Sequence, residues 1–526
     1  MDSKYKLEKE AFVSGMTGSS ITHVCLVSSV ALSSMFLYAA LRTRLPESQK
    51  FGFILSWILL VLPLLLSLTL FAERPILLNA IIIVPASLLL LLPKREGPSP
   101  LPSKQDSTAT EEDTRVSRIP PLPALTTYRS HMMLMTTLAI LAVDFPIFPR
   151  SLAKCETFGV SLMDLGVGSF VYAQGMMAAR PLLRDPRYLT APWGKKVYTV
   201  TRKCLPIILL GVGRVISVKG TEYPEHVTEY GVHWNFFITL ALLPILEVML
   251  HPVFQYLPIS LVGVLVALGQ QLALSYGLKD YVLNAPSTSL ISQNKEGLVS
   301  LTGYFAVYLL GLSAGTIVLP PSPNHFSRKQ EALAKQSSKH GMHTPYDAEL
   351  DLSAPRKLDK TATELASYAI IWWVLLGFTK LFKVDGTWGS EGGMSRRIVN
   401  LPYIMWVAAY NVFFVLAYIV LLDVIFFPGP KTKKPKTPTK EPHSPTVYRR
   451  VNVTLAGNPP KLLDDINKHS LSIFLLANVS TGVINFAMKT MYASTGTALL
   501  VLSGYASVIC AVAWFWDKLS KKRKVD

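Results

Sequence analysis

Residues 142–168 read AVDFPIFPRSLAKCETFGVSLMDLGVG, where two apolar runs meet around two prolines and five charged side chains. Between membrane helices such a stretch is a boundary hairpin, and each ionisable group in it needs water, a partner or a ligand. Pro146 and Pro149 lack amide donors and restrict the residues before them. The helix expected to end near Phe148 therefore leaves regular geometry where Asp144 sits. Lys154 follows just before the next helix, so a reversal of the chain lets Asp144 and Lys154 face each other across a mouth flanked by Arg150 and Glu156. Asp164 is expected roughly two turns inside the next helix, where a carboxylate must be paired, protonated or wetted by a cavity. Gly166 and Gly168, with Gly159 and Gly175, allow close approach of a neighbouring helix or a ligand.

The rest of the chain sets this stretch in a membrane. Of 526 residues, 50% are hydrophobic and only 16% charged, and the mean hydropathy is +0.35. Apolar residues come in long runs, which excludes a large soluble helical protein. The formal charge of +18 resides in segments between the runs, so orientation and anionic lipid explain it better than nucleic acid does. Cys25, Cys155, Cys204 and Cys510 are too widely spaced for a zinc motif or a disulfide framework. The segment MDSKYKLEKEAF lacks a cleavage site, so the first apolar run reads as an uncleaved span. No P-loop, dinucleotide fingerprint or HExxH is present, which weighs against an ATP-driven pump and leaves secondary transport open.

About 20 apolar residues cross a bilayer as a helix. Thirteen runs approach this, near 21–40, 51–71, 76–93, 131–148, 159–179, 204–218, 232–250, 256–275, 297–320, 366–382, 399–427, 470–488 and 495–516. The run at 204–218 is short, and that at 399–427 is long enough to tilt or break. The expected fold is therefore an all-α polytopic membrane protein of about thirteen helices around a substrate cavity. Helices 1–3 fall in 1–93, helices 4–9 with the hairpin in 130–320, helices 10–11 in 366–427 and helices 12–13 in 469–516. Segments 94–129, 321–365 and 428–468 read as cytosolic linkers, and 517–526 as a basic cytosolic tail. With the N-terminus outside, the inside segments hold 37 of the 52 Lys and Arg residues, which favours a cytosolic C-terminus. The sharpest inside segment is 180–203, with seven basic residues and one acidic. Asn452, in a glycosylation sequon, falls in a cytosolic linker and is expected to be unmodified, as is Asn478 within a span.

Several chemistries suit the hairpin. Asp144 and Lys154 can form an interfacial ion pair that fixes the turn. They can equally serve catalysis, Asp144 taking a proton from an attacking hydroxyl and Lys154 stabilising an oxyanion or positioning a phosphate. That site suits acyl transfer onto an alcohol, and it suits ion coupling almost as well. Asp164 either organises the helix package through a partner or contacts substrate. The stretch 211–244 gathers Arg214, Lys219, His226, His233 and Asn235 near an outer boundary, where they are candidates for substrate binding. The spacing of His226 and His233 matches no metal motif. Asn478 and Asn485, seven apart, share one helix face and either line the cavity or bind the bundle together.

The stretch 142–175, with EAFVSGMTGSS at 10–20, GVGRVISVKGTEYPEHVTEYGVHWNFFITLALLP at 211–244 and NKHSLSIFLLANVSTGVINFAMKT at 467–490, resembles the eukaryotic inositol acyltransferases of glycosylphosphatidylinositol (GPI) anchor synthesis, in particular their fungal wall-transfer branch. The resemblance spans nearly the whole membrane part. It implies a thirteen-span, membrane-bound O-acyltransferase of the endoplasmic reticulum that moves a fatty acyl chain, usually palmitoyl, from acyl-CoA to the inositol 2-hydroxyl of glucosaminyl-phosphatidylinositol. It assigns the catalytic pair to Asp144 and Lys154. It implies no bound cofactor, acyl-CoA being a co-substrate, and no nucleic acid or protein partner. The family pattern carries a second arginine after Arg150, where this chain has Ser151. The competing class is a lipid-linked glycan flippase or proton-coupled transporter, since Asp144, Asp164 and the basic loops also suit a carrier. Acyl-CoA is made in the cytosol, whereas Asp144 and Lys154 map to the outer boundary. Either the CoA moiety enters a deep cavity or the pair lies deeper than the span edges suggest.

Overall fold

The computed structural model describes residues 3–44, 52–93, 119, 121–185, 188–219, 230–338, 352, 356–388, 392–427 and 458–522. Among the described residues the chain is helical, and its β-type pairing is an isolated parallel bridge between Gly18 and Val160. Asn452, most of 94–129 and of 428–468, and part of 321–365 lie outside the described residues.

A short helix, α1 (Ser3–Phe12), precedes the first apolar helix, α2 (Ile21–Arg44). The run at 51–71 divides into α3 (Phe53–Leu60) and α4 (Leu62–Leu68); Pro63 opens a new helix, where its missing amide costs nothing. Then come α5 (Pro75–Leu90), α6 (Pro123–Ala142), α7 (Leu162–Arg184), α8 (Trp193–Lys219) and α9 (Phe236–Met249). They are followed by α10 (Ile259–Ala273), α11 (Lys295–Val318), α12 (Leu358–Leu381) and α13 (Leu401–Tyr418). The series used below ends with α14 (Lys461–Lys468), α15 (Ser470–Ala487) and α16 (Thr495–Lys522).

The chain is an all-helical polytopic membrane protein. Among the described residues seven helical segments are long and apolar enough to cross a bilayer, and Phe53–Leu68, Pro75–Leu90 and Phe236–Met249 are shorter apolar helices. The other apolar runs are occupied by α6, α7 and α8, whose lengths carry polar or charged residues such as Arg129, His131, Asp164 and Lys196. The outward faces of α5 (Ile76, Ile81, Val84) and α12 (Ile370, Val374, Phe378) are bare hydrocarbon, a surface stable against lipid and not against water.

Three boundaries differ from the sequence expectation, each for a local reason, and the long run at 399–427 takes one of the two courses expected of it. α6 runs from Pro123 to Ala142 instead of 131–148, because Pro123 starts it and Pro146 stops it early, so Arg129 and His131 are inside the helix. Asp164 is in the first turn of α7, not two turns in, since Ser161 caps the helix by accepting from the Asp164 amide. α8 begins at Trp193, so much of the basic stretch 180–203 is helical. The long run at 399–427 breaks: α13 ends at Tyr418 and passes into a π-helical turn, Ile419–Phe426.

The centre of the bundle is the crossing of α7 and α11. A Cβ on Gly175 would lie 2.1 Å from the Tyr308 carbonyl oxygen, and one on Gly311 would lie 2.2 Å from that of Tyr172. These two glycines set the distance between the helices, since no side chain fits between the backbones. α13 lies beside α11 and is buried along nearly its whole length. α6 packs against α4, α7, α13, α14, α15, α16 and the 419–426 turn, and residues of it also border a space inside the bundle. Replacing Gly311 by leucine is expected to force α7 and α11 apart and to lower stability by ~3 kcal/mol, as for other overpacked cores. Thermal unfolding of the detergent-solubilised variant would show it, and an unchanged melting temperature would contradict the crossing.

Candidate active site

One cavity of ≈ 850 Å³ occupies that space. Tyr128, His131, Met135 and Ala139 line it at intervals of three or four residues, so α6 presents one continuous face to it, and Val143 and Asp144 extend that lining just beyond the helix end. At 1.5 Å per residue the distance from Tyr128 to Asp144 is about 24 Å. α7, α8, α9 and α15 supply other walls. The cavity has three chemical zones. One end is charged, with Lys9, Asp144, Lys154, Glu156, Arg214 and Arg396. The middle is apolar, with Met132, Met135, Ala139, Phe170, Leu210 and Phe474. The inner end is aromatic and polar: Tyr128 donates to Asn411 Oδ1, and His131 Nδ1 lies 2.6 Å from the Tyr418 hydroxyl.

Asp144 sits just beyond the last turn of α6 and is buried. Its Oδ1 is 3.3 Å from Lys9 Nζ, and its Oδ2 accepts from Asn485 Nδ2 at 2.8 Å. Lys9 Nζ also donates to Asn485 Oδ1 at 2.7 Å, so the three side chains close a ring. Lys154 lines the same cavity, so both members of the predicted pair border one space, while the ion pair on Asp144 is made by Lys9. Lys9 carried no sequence signal, because α1 is a polar helix outside every apolar run.

The rest of the hairpin is architectural. The Arg150 guanidinium donates to the carbonyls of Phe145 and Phe148 and stacks 4.1 Å from the Phe12 ring, which fixes the turn after Asp144. Burial lowers the Arg150 pKa to about 10, against the opposing pull of Asp144, so the residue remains charged at neutral pH. Arg150 is not among the residues that line the cavity, and Ser151 sits beside it in a single turn of 3₁₀ helix. Glu156 does line the cavity; its carboxylate accepts from the Gly15 amide at 3.2 Å and its amide donates to Met16. Residues 13–19 thus lie along 155–160. Gly18 (φ +81°) and Gly159 (φ +143°) permit this, since a Cβ on either would strike the backbone of the facing strand.

Asp164 does not line the cavity; it organises the wall behind it. Its Oδ1 pairs with Arg396 Nε at 2.7 Å, and its Oδ2 accepts from Cys155 N and Ser161 Oγ. Tyr403 adds a bond to its carbonyl at 2.7 Å, tying α7 to α13. Burial and the Asp164 charge both push the Cys155 thiol pKa well up, which disfavours a thiolate nucleophile there. Arg396 reaches the cavity and was not legible beforehand, because its partner is 232 residues away.

Asn235 is the N-cap of α9, accepting from Phe237 N and Ile238 N, and donates to the Gly211 carbonyl of α8 while lining the cavity. Arg214 and Asn478 also line the cavity, whereas His233 does not; its amide donates to Asn294. Asn478 donates within its helix to the Phe474 carbonyl. The side chain of Lys219 and all of His226 lie outside the described residues. Among the described residues no group of three or more His, Cys, Asp and Glu side chains is arranged to hold a metal ion.

Removing one member of the Asp164–Arg396 pair strands a buried charge, which typically costs about 3–5 kcal/mol. R396M is therefore expected to lower the melting temperature markedly, and D164N/R396M to recover a good part of it. An R396M protein as stable as wild type would contradict the pairing.

The chain has relatives along nearly its whole length. The family model described as GWT1 matches residues 5–516. The protein named GPI-anchored wall transfer protein 1 of Aspergillus fumigatus is 38% identical, covering 98% of this chain and 97% of the relative. The protein of the same name from Yarrowia lipolytica is 37% identical over 97% of each chain. That of Cryptococcus neoformans var. grubii is 41% identical over 75% of this chain and 62% of its own. With a family match running from α1 to α16 and relatives above one-third identity, this chain belongs to the GWT1 family.

Proposed function

We propose that the protein acts in GPI-anchor biosynthesis as a membrane-bound O-acyltransferase, moving a long acyl chain, palmitoyl in the leading case, from acyl-CoA to the inositol 2-hydroxyl of glucosaminyl-phosphatidylinositol. The names of its relatives give the biosynthetic context. The observation that carries the reading is the continuity of one cavity from the charged residues Asp144 and Lys154 into an apolar passage along α6. An acyl chain needs the passage, and its activated carboxyl end needs the charged mouth. A lipid-linked glycan flippase would also use an apolar passage, and acyl transfer by the purified protein separates the two readings.

In this mechanism the inositol hydroxyl approaches Asp144, whose carboxylate takes the proton as oxygen attacks the thioester carbonyl. The carbonyl oxygen becomes an oxyanion beside the Lys154 ammonium. Collapse breaks the carbon–sulfur bond, and the departing CoA thiolate recovers the proton from Asp144. General-base help contributes about 10²–10⁴-fold and a placed cation near the oxyanion a similar share. No bound cofactor is required, and acyl-CoA is consumed as co-substrate. Arg214 and Arg396 supply cations for the acceptor's phosphate, and Glu156 supplies an acceptor for its amino sugar and polyol. The proposed setting is the endoplasmic-reticulum membrane, the N-terminus lumenal and the C-terminus cytosolic, following the charge bias of the segments.

Labelled palmitoyl-CoA and glucosaminyl-phosphatidylinositol, offered to purified protein, should give acyl-inositol product with wild type, and D144A and K154A should each lose at least ~10²-fold at equal folded yield. Equal product from all three would move the chemistry elsewhere. Filling the passage separates chain binding from chemistry. M132W is expected to depress palmitoyl transfer while sparing octanoyl transfer, and a parallel loss of both would argue that the passage does not hold the chain.

A further inference from the structure

The groups around Asp144 come from three distant parts of the chain: Asp144 from the end of α6, Asn485 from α15 and Lys9 from α1. We propose that Lys9, held by Asn485, is a positioning residue for the Asp144 carboxylate, so that the reaction centre is complete only while residues 3–19 are docked. This rests on the acyl-transfer reading of the same site.

The geometry fixes each group in turn. The Asn485 carboxamide is used on both sides. Its Nδ2 donates to Asp144 Oδ2 at 2.8 Å and to the Thr481 carbonyl at 3.1 Å. Its Oδ1 accepts from Lys9 Nζ at 2.7 Å and from Thr490 Oγ1 at 3.1 Å. A flipped amide would set oxygen against the carboxylate and nitrogen against the ammonium, so only one orientation satisfies the ring. Lys9 in turn sits 3.3 Å from Asp144 Oδ1, placing one donor on each carboxylate oxygen. A carboxylate offers about four acceptor directions, so these two donors set its plane and leave capacity for a substrate hydroxyl. Without such partners a buried carboxylate would be an uncompensated charge, which the bundle interior penalises.

α1 is shaped to deliver the lysine. Tyr5, Glu8, Lys9 and Phe12 recur at positions i, i+3, i+4 and i+7, which is one helix face. Tyr5 meets the Tyr492 ring edge-on at 5.5 Å, Glu8 accepts from the Tyr492 hydroxyl, and Phe12 lies under Arg150. Beyond α1, the Gly18–Val160 bridge and the Gly15 amide on Glu156 pin the following strand to the hairpin. The anchoring contacts therefore belong to the aromatic residues and the strand. The Lys9 ammonium is spent on two side chains that both line the cavity. That division of labour separates a positioning role from a purely adhesive one.

The test uses full-length protein and the palmitoyl-CoA assay, with wild type, K9M, K9R, N485A, D144N and K9M/D144N. K9M is expected to lower kcat by ~10²-fold, the cost of a misplaced reacting group, with KM for palmitoyl-CoA nearly unchanged. K9R should retain most of the turnover, and K9M should add little to D144N, because it acts through that carboxylate. In a further variant, K9A, which leaves room for an exogenous amine, propylamine should restore turnover in a saturable way. Should K9M fail to fold, N485A carries the same expectation from the opposite side of the ring. Wild-type turnover in K9M, or losses that multiply in K9M/D144N, would overturn the role of Lys9 alone. Absence of acyl product from the wild type would overturn the acyl-transfer reading and this role with it.

Discussion

Everything around the cavity depends on keeping a carboxylate at the end of a membrane helix. Asp144 is buried beside hydrocarbon-facing helices, where an unpaired charge is expensive. The fold meets that cost with Lys9 and Asn485, each from a different region of the chain. The same need recurs one layer behind, where Asp164 is held by Arg396, Ser161 and the Cys155 amide. The two acids lie at either side of the reversal between α6 and α7, and both are neutralised by cations from outside that hairpin. The hairpin is therefore stable only in the assembled bundle.

This arrangement links packing to chemistry. The close crossing of α7 on α11, set by Gly175 and Gly311, holds one wall. α6 is turned so that its repeat of small and apolar residues borders open space instead of another helix. Arg150 spends its donors on the turn itself, and Asn235 spends its side chain on a cap and an interhelical bond. Such residues shape the mouth without needing to touch a substrate. The resulting gradient, charged at Asp144, apolar at Met135 and hydrogen-bonded again at His131 and Tyr418, matches an amphiphile better than a uniformly polar solute.

Some of this is readable before any coordinates. Run length and charge fraction decide a polytopic helical protein, because hydrocarbon admits helices whose backbone bonds are satisfied internally. The prolines at 146 and 149 betray the reversal, and the seven-residue spacing of Asn478 and Asn485 places both on the cavity wall. Edges are less legible. Hydropathy sees the apolar part of α6 and misses its first two turns through Arg129, whose polarity is absorbed inside the bundle; it also misses α8 before residue 204, where a basic segment is helical all the same.

By itself the sequence determined the class of fold, the hairpin and the acid–base residue types gathered there, since these follow from local composition, proline chemistry and helical periodicity. Only the tertiary structure decided who holds whom. Lys9 belongs to a polar helix and Arg396 to a polar loop, and neither segment has a periodicity that points to its partner. Their ion pairs join residues 135 and 232 positions apart, and charge complementarity over such distances is satisfied equally well on paper by many other lysines and arginines. Packing alone, through the α7–α11 crossing, the docking of residues 13–19 along 155–160 and the seating of α1 on Tyr492 and Arg150, selects these two.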